Sequence, residues 1–377
     1  MKTVLHLSPS VRLLGARQSL LQLALHLDPA RFEPVIVVPF SKGGLAEAVR
    51  EAGVRCHCVR MGQWRKAKYW PRIPYDLWQL RRLSRRLGVD VVHCNEPHAA
   101  PYGLRVARSR RVPCVVHVRL DNVTRKLVRQ YGLGHADRVV AVSEAVARQF
   151  DPIWDDRTER VTVIPNGVDL DGLRSQAPSR EEARRALGLR AGDVLIVQAG
   201  LISPRKCCHV AVAAFAKIAR DHPLAHLHFV GSPGPGDVIY AHSLDRDIAR
   251  RGLIGRAQLL PFRPDIAAVY AAADINLLVS NQEGFGRVIV EAAAFGVPTI
   301  GTDAGGIPEV IVDGETGLIV PPEDPEALAQ AMVRLLLDPA RRGALGLGAQ
   351  RRAETEYSIE RHAVRMMGLF DELTGGA

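Results

Sequence analysis

Two glutamates, Glu283 and Glu291, stand eight positions apart in the segment EGFGRVIVE, with Gly284-Phe285-Gly286 between them. A carboxylate accepts hydrogen bonds from sugar or ribose hydroxyls and repels phosphate, so the pair suits the uncharged parts of a ligand. A strand-like run over 275–280 precedes them, the layout of a ligand site at the carboxyl end of a parallel strand. If Gly286 opens a helix, a rise of ~1.5 Å per residue sets the two glutamates roughly 12 Å apart and about 80° from vertical alignment, within reach of one extended molecule. The backbone N–H groups of Gly284, Phe285 and Gly286 at such a helix start favour an anion such as a diphosphate. Hydroxyl acceptors beside an anion site suit a nucleotide sugar. The same residues also fit a helix-capping glutamate followed by an ordinary surface one.

A second constellation is Gly200-Leu201-Ile202-Ser203-Pro204-Arg205-Lys206-Cys207, after the strand-like run 193–200. Glycine lets backbone approach a phosphate, and Lys206 at a helix start can neutralise a departing diphosphate as charge accumulates on it. Taken alone, it is equally a solvated lysine at a helix entry. His117 ends the strand-like CVVHVR, where an imidazole can bond a sugar hydroxyl or orient an acceptor. A lone strand histidine is more often structural, and His93 and His98 compete with it. Asp-x-Asp occurs at Asp169/Asp171, in a turn-rich stretch, and at Asp245/Asp247, in a helical pattern. Carboxylates holding Mg²⁺ on a diphosphate need a loop at the site. No metal is therefore expected, and Lys206 with a helix dipole takes the electrophilic role.

Positioning these residues requires strands that alternate with helices, and the hydrophobic pattern supplies them. Strands are expected at 2–7, 34–39, 54–59, 90–94, 114–118, 138–142 and 161–164, and helices at 16–27, 44–52, 75–87, 99–109 and 144–150. The stretch 165–180, rich in turn formers, marks a boundary. The pattern restarts at 193–200, with strands near 226–231, 257–261, 275–279, 298–301 and 317–320. Two α/β units follow.

After Glu291 come a helix end at Gly296, the strand entry Val297-Pro298, the turn Gly305-Gly306-Ile307-Pro308-Glu309 and the hairpin DGETGLIV. In this order, through 274–320, they strongly resemble the retaining glycosyltransferases of family 4, and weaker matches extend over nearly the whole chain. The resemblance implies the GT-B fold, two Rossmann-like domains whose parallel sheets face each other across a cleft. It divides the chain into an acceptor domain (1–170), a nucleotide-sugar domain (171–357) and a terminal segment (358–377) whose helix crosses back to the first domain.

It further implies that Glu291 binds ribose, that Glu283 and the backbone of 284–286 hold the donor sugar and phosphates, and that Lys206 with Gly200 meets the diphosphate. His117 is placed beside the donor sugar, and front-face attack lets a leaving phosphate oxygen take the acceptor proton. The family has a Gly-Arg and a Lys-Gly pair where this chain has Gly200-Leu201 and Lys206-Cys207, which leaves Arg205 as a substitute cation. In the loop Leu14-Gly15-Ala16-Arg17 one glycine of the family's pair remains, so Gly15 and Arg17 are weaker site candidates. Gly231 and the segment Phe262-Arg263-Pro264-Asp265 correspond to stretches that enclose the base. Ser143-Glu144 and 166–169 match family positions but read as a helix cap and a turn.

The donor is expected to be a UDP-, GDP- or ADP-sugar, with no further cofactor. Two other classes share the resemblance: a degenerate binder without turnover, which Leu201 favours, and a nucleotide-sugar 2-epimerase, which needs no acceptor.

The chain of 377 residues is 47% hydrophobic and 24% charged, an ordinary globular balance, with no apolar run long enough for a membrane span. Its first residues read as a strand rather than a signal peptide, so a cytoplasmic location is expected. Cys56, Cys58, Cys94, Cys114, Cys207 and Cys208 show no CxxC or zinc spacing and read as buried free thiols. The net charge of +10 is uneven: residues 1–177 carry +13 and the remainder −3. Within 60–86, nine Lys/Arg stand among Trp64, Trp70 and Trp78 with a single acid, Asp76. That mixture suits an anionic membrane surface and hence a lipid-linked saccharide or cell-envelope or exopolysaccharide precursor as acceptor. It equally fits a solvated Arg-rich helix with locally packed tryptophans. Nucleic acid ranks last, because no recognition motif accompanies the charge.

Overall fold

The computed structural model describes residues 1–11, 15–234 and 236–375. Two compact units emerge: Met1–Val168 with Ile359–Ala377, and Asp169–Ser358. In the first, strands β1 (Lys2–Leu7), β2 (Phe32–Val38), β3 (Arg55–Cys58), β4 (Val91–Cys94), β5 (Cys114–Val118), β6 (Arg138–Ala141) and β7 (Val161–Val163) form a parallel sheet in the order β3-β2-β1-β4-β5-β6-β7. In the second, β8 (Val194–Ala199), β9 (Ala225–Val230), β10 (Ala257–Leu260), β11 (Ile275–Leu278), β12 (Thr299–Thr302) and β13 (Gly317–Val320) follow the order β10-β9-β8-β11-β12-β13. Each sheet is doubly wound, and its strand order reverses once, beside β1 in the first unit and beside β8 in the second.

Helices cover both faces of such sheets, so the central strands are apolar on both sides. Val4, Leu5, Leu7, Val91, Val92, Val115 and Val116 are fully buried. The helix Ile359–Leu373 belongs to the first unit, where Ala363, Met366, Met367, Leu369 and Phe370 join Val4, Leu23, Phe32, Val91 and Val115 in one apolar cluster. Ion pairs Lys2–Asp371 (2.6 Å) and Arg138–Glu372 (2.7 Å) tie its end to the sheet.

Several expected elements differ. The stretch 165–180 contains the helix Leu170–Ser175, which starts because the Asp169 side chain accepts from the Gly172 N–H at 2.8 Å. Asp171 lies in that helix, and Asp247, within Val238–Arg250, pairs with Arg250 and Arg251. The cysteines are all free thiols, but Cys58, on the edge strand β3, is exposed.

Cys207 adopts a left-handed conformation (φ 48°) immediately before the helix Cys208–Ile218. A Cβ is strained there and glycine is not. Cys207→Gly is therefore expected to be about 0.5–1 kcal/mol more stable than Cys207→Ala, reversing the usual order of the two residues. Urea unfolding midpoints of the two variants check this, and an alanine variant as stable as the glycine one refutes it.

Candidate active site

The switch point of the second sheet lies between β8 and β11, and the loops that leave these two strands meet. From β8 the chain runs through Gly200 to a single helical turn, Pro204–Lys206; from β11 it runs through Ser280 to Gly286. The Asn281 N–H donates to the Arg205 carbonyl at 3.2 Å, and Arg205 Nη1 donates to the Gln282 carbonyl at 2.9 Å. Arg205 thus braces the two loops against each other. Across this junction Lys206 Nζ pairs with Glu283 Oε2, both side chains partly buried. Sequence spacing gave each a separate partner on a ligand, whereas the structure joins them. The Gln198 amide fixes the Lys206 carbonyl at 2.7 Å.

The backbone of Glu283 is held from below. Its carbonyl accepts the Gly306 N–H at 2.8 Å, and a Cβ on Gly305 (φ +56°) would stand 2.1 Å from that oxygen. The glycine pair of the GGIPE turn therefore permits backbone contact that no other residue allows. Thr302 Oγ1 donates to the Ser280 carbonyl at 2.5 Å, fixing the loop's other end. On the β8 side, a Cβ on Gly231 would meet the Gly200 carbonyl oxygen at 1.8 Å. The backbones of Gly200 and Gly231 thus pack directly against each other at the ends of β8 and β9.

The helix opens at Arg287, with Gly286 (φ 91°) as its cap, and runs to Ala293. Glu291 lies one turn in. Arg287 Nε and Nη2 both reach its Oε1 at 3.0 Å, leaving Oε2 outside this fork. Tyr270 is wholly buried, and burial together with the neighbouring Glu291 charge holds its phenol well above the usual range. Phe285 is buried edge-on against Tyr357, with ring centroids 5.5 Å apart. Arg263 forms a two-pronged pair with Asp265 (2.7 and 3.1 Å), so its guanidinium is engaged within its own loop. Leu201 is half exposed.

The remaining candidates lie in the first unit. Gly15 (φ 33°) caps the helix Ala16–His26, and Leu14 of its loop lies outside the described residues. His117 is fully buried, its Nδ1 3.2 Å from Arg119 Nη2 and its Nε2 without a partner. It belongs to a row of imidazoles: His6 and His93 meet Nδ1 to Nδ1 at 2.8 Å, His93 and His117 stand 5.7 Å apart, and His362 is 6.1 Å further on. The sequence offered His117 as a contact for sugar; the structure sets it one layer inside, and Arg119, two residues on, reaches the surface cavity. Burial is the main reason His6, His93 and His117 titrate below the ordinary range, His6 at about 3.

Arg287 and Gly305 were not singled out as site residues. A basic residue one helical turn before Glu291 was the available signal for the first, and a glycine doublet after a strand for the second.

Two doubly wound units define a GT-B fold, with a cation–carboxylate pair at the switch point of one and a braced glutamate one helical turn beyond. Residues 179–352 match the glycosyl transferases group 1 and residues 14–171 the glycosyltransferase family 4. The chain belongs to this glycosyltransferase family. It is similar to proteins called D-inositol 3-phosphate glycosyltransferase, 32% identical to that of Saccharomonospora viridis over 66% of this chain and 58% of that one. It is 34% identical to that of Nocardia farcinica over 61% of this chain and 51% of that one. The chain spans a little over half the length of these curated relatives. Among solved structures, Anabaena Alr3699/HepE in complex with UDP and glucose shares the fold, with a TM-score of 0.86 at 23% identity over 99% of this chain and all of that one. The lipopolysaccharide outer core galactosyltransferase WaaB gives 0.74 at 14% identity over 99% of this chain and all of that one.

Proposed function

We propose that the chain transfers a sugar from a nucleoside diphosphate sugar to an acceptor hydroxyl, with retention at the anomeric carbon and without a metal ion. The Lys206–Glu283 pair at the switch point carries this proposal. A bound donor draws the Lys206 ammonium onto the diphosphate and releases the Glu283 carboxylate to accept from a sugar hydroxyl. Glu291, oriented by Arg287, accepts from the ribose hydroxyls. The bond from the anomeric carbon to the diphosphate breaks as the acceptor oxygen bonds to the same face, and the acceptor proton passes to the departing phosphate oxygen. Lys206 stabilises the charge left behind.

The test is a calorimetric and thermal-shift screen of UDP, GDP, ADP and their sugars in chelator, beginning with UDP-glucose. One nucleotide is expected to bind, with Glu291→Ala weakening it at least ten-fold through loss of hydrogen bonds to a charged acceptor, each contributing about 1.5–3 kcal/mol. Leu201→Arg, at an exposed position in the loop from Gly200 to Lys206, is expected to tighten binding of the diphosphate. No binding by either protein refutes the proposal. Nucleotide release only when an acceptor is present separates transfer from epimerisation and from mere binding.

The acceptor we take to be a lipid-linked saccharide or cell-envelope precursor, met at the cytoplasmic face of a membrane. Trp70, Tyr75 and Trp78 are each more than half exposed, with Arg72 over the Tyr75 ring at 5.9 Å and Arg82 over Trp78 at 5.5 Å. Tyr75, Trp78 and Arg82 share one face of the helix Ile73–Leu87. Among the described residues no helix is long and apolar enough to cross a membrane. Lys66→Glu with Lys68→Glu should weaken binding to anionic vesicles by about thirty-fold or more, since each cation near such a surface contributes about 1 kcal/mol and both are lost; undiminished binding excludes this surface.

A further inference from the structure

The second unit has an open cavity of about 570 Å³ where the helices Cys208–Ile218 and Val238–Arg250 meet. That lies within the range for small-molecule sites, roughly 300–1,000 Å³. Its lining shares no residue with the switch-point site built from Gly200, Lys206, Glu283 and Glu291. Its charges are Arg246, Arg250 and Arg251 against Asp247. Arg250 and Arg251 both bind Asp247, the latter at 2.9 Å, so the one carboxylate is already engaged and the surplus is cationic. Arg246 meets no carboxylate among the described residues; its Nε stands 3.4 Å from the His242 carbonyl. This surplus runs against the charge of its surroundings, since residues 178–377 carry −3 overall. His209 belongs to the same lining, and its backbone N–H and Nδ1 both meet the Tyr240 hydroxyl, at 3.1 and 2.9 Å, which fixes the imidazole in place. Burial holds the Tyr240 phenol above its usual range, so it stays protonated and adds no negative charge. Leu244, almost wholly buried, and Ala213 supply the apolar part of the lining.

An ordinary solvated face spreads its cations over open surface. Here three guanidinium groups gather at one concavity, where a cluster of one sign focuses its field on a counter-charge. Guanidinium groups bind phosphate oxygens through paired, charge-assisted hydrogen bonds. Arg246 and Arg250 stand four positions apart on one face of their helix, about 6 Å along its axis. Two linked phosphates span that separation better than one. We propose that this cavity is a second anion site, which binds a diphosphate group between Arg246 and Arg250 with His209 beside it. The ligand is either free pyrophosphate or an ester whose organic part packs on Leu244 and Ala213. The inference does not depend on the transfer reaction.

Calorimetry with the full chain in magnesium-free buffer tests it, in a Lys206→Ala/Glu291→Ala background that disables the switch-point site. Pyrophosphate should bind at least ten-fold more tightly than phosphate, and Arg246→Gln/Arg250→Gln should weaken its binding about ten-fold or more. Arg185→Gln/Arg220→Gln, an equal loss of charge at exposed positions of the same unit, should leave it within about two-fold. Arg246→Gln alone keeps both Asp247 ion pairs and should still weaken binding about three-fold, so that a fault in folding does not pass for a lost site. ADP forms the ester arm: an affinity above that of pyrophosphate, and equally lowered by the cavity variant, assigns an esterified diphosphate, and an affinity below it assigns the free anion. In the otherwise wild-type chain Arg246→Gln/Arg250→Gln should leave UDP affinity unchanged. Absence of pyrophosphate binding, or a loss as large with Arg185→Gln/Arg220→Gln as with the cavity variant, overturns the proposal. UDP binding by the wild-type chain without pyrophosphate binding in the double-alanine background counts against the cavity alone, and the converse counts against the transfer reaction alone.

Discussion

Lys206→Ala is expected to lower turnover by roughly 10²–10³-fold, the usual consequence of removing one preorganised stabiliser of developing charge. The ammonium is partly buried and held by Glu283, so it stands ready in a setting of reduced dielectric. In the proposed reaction its interaction strengthens as the diphosphate departs, and the loss should therefore fall on kcat more than on KM. Lys206→Arg should recover part of the rate, because the charge returns with a different geometry. The alanine variant also strands a partly buried carboxylate. Lys206→Ala/Glu283→Gln removes that stranded charge, and its turnover should stay low even where its melting temperature recovers. A turnover within three-fold of wild type in Lys206→Ala would remove the lysine from the reaction.

Acidification should unfold the first unit near pH 5, ahead of the second. His6, His93 and His117 are neutral in the folded protein because burial lowers their pKa values. Unfolded, each titrates near the ordinary histidine value of about 6.5. The unfolded chain thus binds more protons below that pH, and stability present above it drains away as pH falls toward the folded values. Each histidine costs about 1.4 kcal/mol per pH unit, so three cost roughly 6 kcal/mol between pH 6.5 and 5, comparable with the whole stability of a domain. The second unit has a weaker version of this liability, with burial lowering His226 and taking His228 to about 4. All four tryptophans, Trp64, Trp70, Trp78 and Trp154, lie in the first unit, so their fluorescence reports on it alone. Emission should shift near pH 5 while much of the far-ultraviolet helical signal persists. Fluorescence unchanged to pH 4 would show that the imidazole row carries no such cost.

The strands were legible because parallel strands buried on both faces read as unbroken apolar runs, as in β1 and β5. Glu283, Glu291 and Lys206 were legible because their spacing relative to strand ends is local information. Their partners were not. That Lys206 meets Glu283 depends on two loops 77 positions apart converging at a switch point, and that Gly305 underlies Glu283 depends on backbone contact across β12. The depth of His117 was hidden too, since a strand end looks the same in sequence whether its last inward residue faces solvent or a packed helix. The helix Leu170–Ser175 escaped notice because its Asp cap and Gly172 are also turn formers.

The helix Ile359–Leu373 completes a core begun more than 350 positions earlier, at β1. During synthesis the first unit therefore begins before the second and is completed after it. Its sheet must wait, with the apolar surface that Phe370 and Met366 will cover still open, while the contiguous Asp169–Ser358 unit has everything it needs to fold. Nascent chains halted before residue 359 should engage holding chaperones through the first unit, because the fifteen residues of this helix close a core that opened at β1.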